Sequence, residues 1–135
     1  MARTNFENLR AYQLSEDLAD EIWNIVLSWK NFAKDTVGKQ IVHSADSIGA
    51  NIAAGEGRGS FQANRRFCKI ARGSLQETQL WLRRAFKRDL LTEEQIEKLK
   101  PMIQKLSPTL NAYLSSIGTK NDSKDKGQRT KDKSE

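Results

Sequence analysis

Apolar residues recur along this chain three and four positions apart, in four blocks separated by polar or glycine-containing breaks. That period marks amphipathic helices, since strands alternate every two residues. The longest block, Ser60 to Leu91, is also the most one-sided. At about 100° of turn per residue, Phe67, Ile70, Ala71, Ser74, Leu75, Thr78, Trp81, Leu82 and Ala85 share a broad face. Arg65, Lys69, Arg72, Gln76, Gln79, Arg83 and Lys87 line the opposite face, flanked by Arg66, Arg84 and Arg88. The pattern predicts a long helix with one buried side and a row of cations on the other.

The remaining blocks give three more helices and an all-α fold. Residues 1–8 read as a short arm, and the first helix runs from Leu9 or Arg10 to about Lys30. Tyr12, Leu14, Leu18, Ala19, Ile22, Trp23, Ile25, Val26 and Trp29 cover far more of it than the roughly 100° stripe a surface helix needs. Either this helix is central or it also forms a subunit interface. Asn31 to Asp35 reads as a connection, with Asp35 or Thr36 as N-cap, before a second helix from about Val37 to Ala54. Val37, Ile41, Ala45, Ile48 and Ile52 are its core stripe, and Gly49, which costs about 1 kcal/mol relative to Ala in a helix interior, is either offset by close packing against a neighbour or simply tolerated. In Gly55-Glu56-Gly57-Arg58-Gly59-Ser60, Gly55 suits a C′ position with positive φ and Ser60 an N-cap.

Thr92-Glu93-Glu94-Gln95 is a capping box that opens a fourth helix carrying Ile96, Leu99, Ile103, Leu106, Leu110, Tyr113, Leu114 and Ile117. Pro101 and Pro108 fall inside that pattern, each worth about 3 kcal/mol in a regular helix interior, so the helix is expected to be bent or interrupted near them. Gly118 ends it. Residues 1–118 thus form one helical domain, and 119–135, without an apolar residue, are expected to be a disordered charged tail.

Composition narrows the function. The 135 residues carry a net charge of +6, with 30% charged and 37% hydrophobic. Such a charge permits an anionic partner without choosing one. Cys68 is the only cysteine, so there is no intramolecular disulfide and no cysteine-based zinc site. His43, the only histidine, lies beside Ser44 and Asp46, but residues one and three apart on one helix do not build a catalytic triad. Glu56 and Glu77 are isolated, so no metal is expected. The glycine-rich turn lacks the Lys-Ser/Thr ending of a P-loop. No enzymatic activity and no cofactor are expected. There is no secretory signal at the start and no apolar run of membrane-spanning length, so a cytoplasmic location with no membrane contact is the expectation.

The cations remain. Arg58, Arg65, Arg66, Lys69, Arg72, Arg83, Arg84, Lys87 and Arg88 are the candidate nucleic-acid-binding residues, and Glu77 is the only acid between Arg58 and Arg88. A structural helix surface usually mixes signs. A single-sign row points to phosphates or to an acidic partner protein. The competing account is that Glu16, Asp17, Asp20 and Glu21 of the first helix neutralise it.

Three stretches carry a family resemblance: Phe6-x-x-Leu9-x-x-Tyr12, Ser47-Ile48-Gly49-Ala50-Asn51-Ile52-Ala53-Ala54-Gly55-Glu56-Gly57-Arg58-Gly59-Ser60, and Phe67-Cys68-Lys69-Ile70-Ala71-Arg72-Gly73-Ser74-Leu75-Gln76-Glu77-Thr78. With them the chain resembles the four helix bundle proteins first known from intervening sequences of bacterial 23S ribosomal RNA genes. Accessory proteins of diversity-generating retroelements are similar. Gly49 and Ala54 depart from the Pro and Glu that the family often has there. The resemblance implies an antiparallel up-down-up-down bundle, a ring-like homopentamer, and a basic surface that meets RNA, DNA, a reverse transcriptase or another nucleoprotein. It implies no catalytic residue. Of the matched positions, Asn51 and Ser60 read as helix-end hydrogen-bonders, Gly73 and Ser74 as a close helix crossing, and Glu77 as a partner for Arg58 or another arginine; Arg58 alternatively faces an anion.

Overall fold

The computed structural model describes residues 2–119. A 3₁₀ turn, Phe6–Asn8, leads into α1 (Arg10–Leu27). A helical lead-in, Asn31–Ala33, passes through a π-helical turn, Lys34–Gly38, into α2 (Lys39–Glu56). After α3 (Phe61–Lys87) comes α4 (Glu93–Ser116). Among the described residues there is no strand. α2 packs most extensively on α3 and next on α1, while α4 closes the square by touching both α1 and α3. Short connections make successive helices antiparallel. The result is an up-down-up-down bundle with α1 and α3 on one diagonal.

The core is built from the stripes the periodicity marks. Leu18 and Ile22 of α1, Ile41, Ile48 and Ile52 of α2, and Leu106 and Leu110 of α4 are its largest fully buried side chains. α3 contributes smaller groups, Cys68, Ala71, Thr78 and Ala85, beside Leu75 and Phe61. Small residues on α3 let it sit close to α2. Gly49 has its neighbour: a Cβ there would lie 2.9 Å from Ser15 Oγ of α1.

Several local expectations change. The arm is folded, because Thr4 N–H donates to Glu7 Oε1 at 2.7 Å and Phe6 meets the Tyr12 ring edge-on at 4.8 Å. Asn31 to Asp35 is helical, not a connection, and neither Asp35 nor Thr36 caps it. Thr36 Oγ1 instead donates to the Phe32 carbonyl within the helix, at 2.6 Å. At the end of the π turn Gly38 lets the backbone close on the end of α1, since a Cβ there would approach Val26 Cγ1 to 2.7 Å. Gly55 is not the left-handed residue. It is buried inside α2, and Gly59, at φ +83, makes the reversal instead.

α4 is not interrupted and runs through both prolines. Pro101 and Pro108 are exposed, as are Glu97 and Gln104, whose carbonyls lose their i+4 donors. Water can satisfy these groups, which a buried proline would deny them. Thr92 and Gln95 form the expected capping box, with both hydrogen bonds present at 2.9 and 3.0 Å. Gly118 follows α4 at φ +74. Beyond Thr119, the segment read as a tail lies outside the described residues.

Candidate nucleic-acid interface

The surface in question is built on α3, whose ends are both chemically defined. At its start the Ser60 Oγ accepts from the Ala63 N–H at 3.0 Å, the N-cap role. At its end the Leu90 N–H donates to the Ala85 carbonyl at 2.9 Å and the Asp89 N–H to Phe86 at 3.1 Å. With Asp89 at φ 60, this is a Schellman turn.

Two sets of contacts fix how α3 is turned about its axis. Toward α2, Asn64 and Phe67 press on Gly55, where a Cβ would lie 2.6 Å from Asn64 Oδ1 and 2.9 Å from Phe67 Cβ. Farther along, the Ser44 and Thr78 hydroxyls meet at 3.0 Å in the core. Toward α4, Arg65 Nη1 donates to the Ile117 carbonyl at 2.8 Å, and Asn64 Nδ2 donates to the Tyr113 hydroxyl at 3.3 Å. The core side therefore centres on Cys68, Ala71, Leu75 and Thr78. Ile70, expected on the buried face, stands at its edge and is 47% exposed.

With that orientation, the outward half of α3 divides at about 100° per residue into two rows. Lys69, Arg72, Gln76, Arg83 and Lys87 lie on the α4 side in line with Arg65; all are exposed except Arg65, which is half-buried. Arg66, Ile70, Gly73, Glu77, Leu80, Arg84 and Arg88 form the outermost ridge and its α2 side, and all are exposed. The first row is purely polar. The ridge mixes charge with apolar surface.

The remaining sequence-marked residues sort as follows. The Arg58 guanidinium lies 4.6 Å from the Phe67 ring centroid and that of Arg66 lies 5.8 Å from it, so two cations share one ring. Arg58 does not pair with Glu77, whose Oε2 accepts from Trp81 Nε1 at 3.5 Å. Asn51 is not at a helix end: its Nδ2 donates to the Ser47 carbonyl in mid-α2, at 2.8 Å. Gly73 and Ser74 make no close crossing. A Cβ on Gly73 would meet nothing within 4 Å, and the Ser74 carbonyl accepts from Thr78 Oγ1 at 2.8 Å.

The acids of α1 do not reach the cation row. Glu21 pairs with Lys98 of α4 at 3.1 Å, and Glu16 accepts from the Tyr12 hydroxyl at 3.3 Å. Among the described residues, none of Lys69, Arg72, Arg83, Arg84, Lys87 and Arg88 has a carboxylate within 4.0 Å. From Lys69 to Lys87 the row spans about 27 Å at 1.5 Å per residue, long enough to meet several phosphates.

The rest of the molecule offers less chemistry. Burial pushes the Cys68 thiol up to about 11, so it is no thiolate at neutral pH. Among the described residues no group of three or more His, Cys, Asp or Glu converges as metal ligands, and no helix is long and apolar enough to cross a membrane. A groove between α1 and α2, lined by Phe6, Tyr12, Glu16, Asp20, Asp46 and Gly49 among others, was only partly legible in the sequence. The broad apolar pattern of α1 marks Trp23, which lines its continuation.

Against known proteins, residues 7–112 match the model of the 23S rRNA-intervening sequence protein family. Among solved structures, the chain is similar to a protein of unknown function from the S23 ribosomal protein family of Bacteroides thetaiotaomicron. The two share 25% identity and a TM-score of 0.69, with 78% of this chain and 96% of the other covered. No curated protein matches.

Proposed function

The chain belongs to the 23S rRNA-intervening sequence protein family, and we propose that it is a non-enzymatic, oligomeric adaptor that binds nucleic acid or a nucleoprotein through α3. The observation that carries this reading is the row of Lys69, Arg72, Arg83 and Lys87, exposed and without a carboxylate within 4.0 Å among the described residues. A row of like charges stacked on one helix face repels itself, and an array of phosphates relieves that repulsion while releasing counterions. The mechanism in this reading is phosphate neutralisation with little base readout. Repetition of the row around a ring of copies, of which a homopentamer is the expected form, multiplies a weak contact into useful avidity. The setting is the cytoplasm, with RNA, DNA or a reverse transcriptase as candidate partner.

The test is fluorescence anisotropy of a generic RNA and a DNA duplex against the wild type and Lys69→Glu/Arg72→Glu/Arg83→Glu, over a salt series. The reading expects affinity that falls steeply with salt and is lost in the triple variant. Equal binding by both proteins would move the contact off this row. No binding at low salt, with capture of an acidic protein instead, would favour a protein-interaction scaffold.

A further inference from the structure

We propose that the outer ridge of α3 in one copy of this chain seats in the α1–α2 groove of a second copy, head to tail. The groove is a cleft of about 380 Å³ with a floor of small residues, Ala19, Ala45, Gly49 and Ala53. Small side chains let another helix come close. Its walls carry Glu16, Asp20 and Asp46, and beyond Asp46 it continues between Trp23 and Leu27. Trp23 is 52% and Leu27 54% exposed. Large apolar side chains gathered on one side of a small protein mark a contact surface.

No ion pair among the described residues answers the charge on this wall, whose nearest bases are His43 beside Asp46 and Lys34 and Lys39 at the far end of the cleft. Among the described residues no cation lies within 4.0 Å of Glu16, Asp20 or Asp46. The Asp46 carboxyl is held above its usual range by burial and then by Asp20. An arriving guanidinium would offset the repulsion from Asp20 and give the Asp46 carboxylate an opposite charge.

The α3 ridge is complementary at its two ends, with Glu77 as its one acid. Arg66 and Arg84 stand on either side of Ile70 and Leu80, which are 47% and 51% exposed. Between them lies Gly73, with open space where a Cβ would be. Neither surface suits a copy of itself, since ridge on ridge would bring cations together and groove on groove would bring carboxylates together. Unlike surfaces on one chain make a heterologous contact, which propagates into a ring or a filament. The inference rests on the self-association in the proposed function, but it uses different side chains from the cation row.

Two variants test it, Asp20→Arg/Asp46→Arg in the groove and Arg66→Glu/Arg84→Glu on the ridge, with the full chain studied by size-exclusion chromatography and light scattering. All four positions are exposed, and circular dichroism verifies that both variants fold. The wild type is expected to exceed a dimer in mass, and each variant alone to fall to the 15.3 kDa of one chain. Mixed, the two variants pair an intact ridge with an intact groove and the reversed ridge with the reversed groove, so assembly beyond one chain is restored. Variants that keep the wild-type mass would overturn these surfaces and leave oligomerisation standing. A mixture that stays monomeric would also overturn them. A wild type that is monomeric at every concentration would remove self-association altogether, while RNA binding by Lys69→Glu/Arg72→Glu/Arg83→Glu reports separately on the cation row.

Discussion

α1 and α3 stand on one diagonal of the same bundle and obey the same rule inside it, yet their outer faces are opposites. α1 fills the core with large side chains, Leu14, Leu18, Ile22 and Ile25, and shows solvent Trp23, Leu27 and several acids. α3 fills it with Cys68, Ala71, Thr78 and Ala85 and shows solvent a row of cations. A diagonal placement keeps these surfaces apart, so the acids of α1 do not quench the bases of α3 within one chain. Packing decides the inner half of each helix. The outer halves are free to carry a field, and here they carry opposite ones.

The contrast is broken most severely from the inside. Leu18 is fully buried, and Leu18→Ala should cost about 2–5 kcal/mol by leaving a cavity, measured by urea unfolding. Ala71 is equally buried, but α3 is fitted by small groups, so Ala71→Leu should cost about 1–3 kcal/mol through overpacking. If Ala71→Leu were neutral, α3 would not be the close-packed helix described here.

Glycine sharpens the comparison between inner and outer surface. Gly73→Ala adds a methyl group in open space on α3, and should raise stability by up to about 1 kcal/mol in chemical denaturation of the monomeric ridge variant. Gly55→Ala should do the reverse, since its Cβ would fall 3.1 Å from the Asn64 backbone carbonyl as well as against Phe67.

The smallest expected effect is electrostatic. Asp46 is raised in the folded chain, so the fold favours its protonated form. Its contribution therefore weakens stability as pH rises from the unfolded to the folded pKa, and the penalty is complete above that window. In an unassembled chain, Asp46→Asn should be slightly more stable at neutral pH than the wild type. Its stability should also fall less as pH rises across the carboxylate range, as read from unfolding midpoints between pH 3 and 7.

How much of this is legible in the sequence follows from which information is local. The caps are, because Ser60, Thr92 and Gln95 bond within three residues of themselves. So are the core stripes. The segment 31–38 is not, because Asn31, Asp35, Thr36 and Gly38 look like turn residues until the end of α1 is brought against Gly38. Gly55 misleads for the same reason: it answers to Phe67 and Asn64 on another helix, while Gly59 supplies the left-handed turn. The cations are all visible in the sequence. Their division into two rows is not, since it depends on where α2 and α4 hold α3, through Gly55 on one side and Ile117 on the other.

The function proposed for α3 depends on that division. The direct measurement is the salt dependence of RNA affinity for Lys69→Gln/Arg72→Gln beside Arg66→Gln/Arg84→Gln, at protein concentrations where light scattering gives both the same mass. The first pair should lower the slope of log affinity against log salt by up to about 0.7–0.9 for each phosphate it no longer neutralises, while the ridge pair keeps the wild-type slope. Equal slopes in all three proteins, or a reduced slope confined to the ridge pair, would contradict the assignment of RNA binding to the cation row.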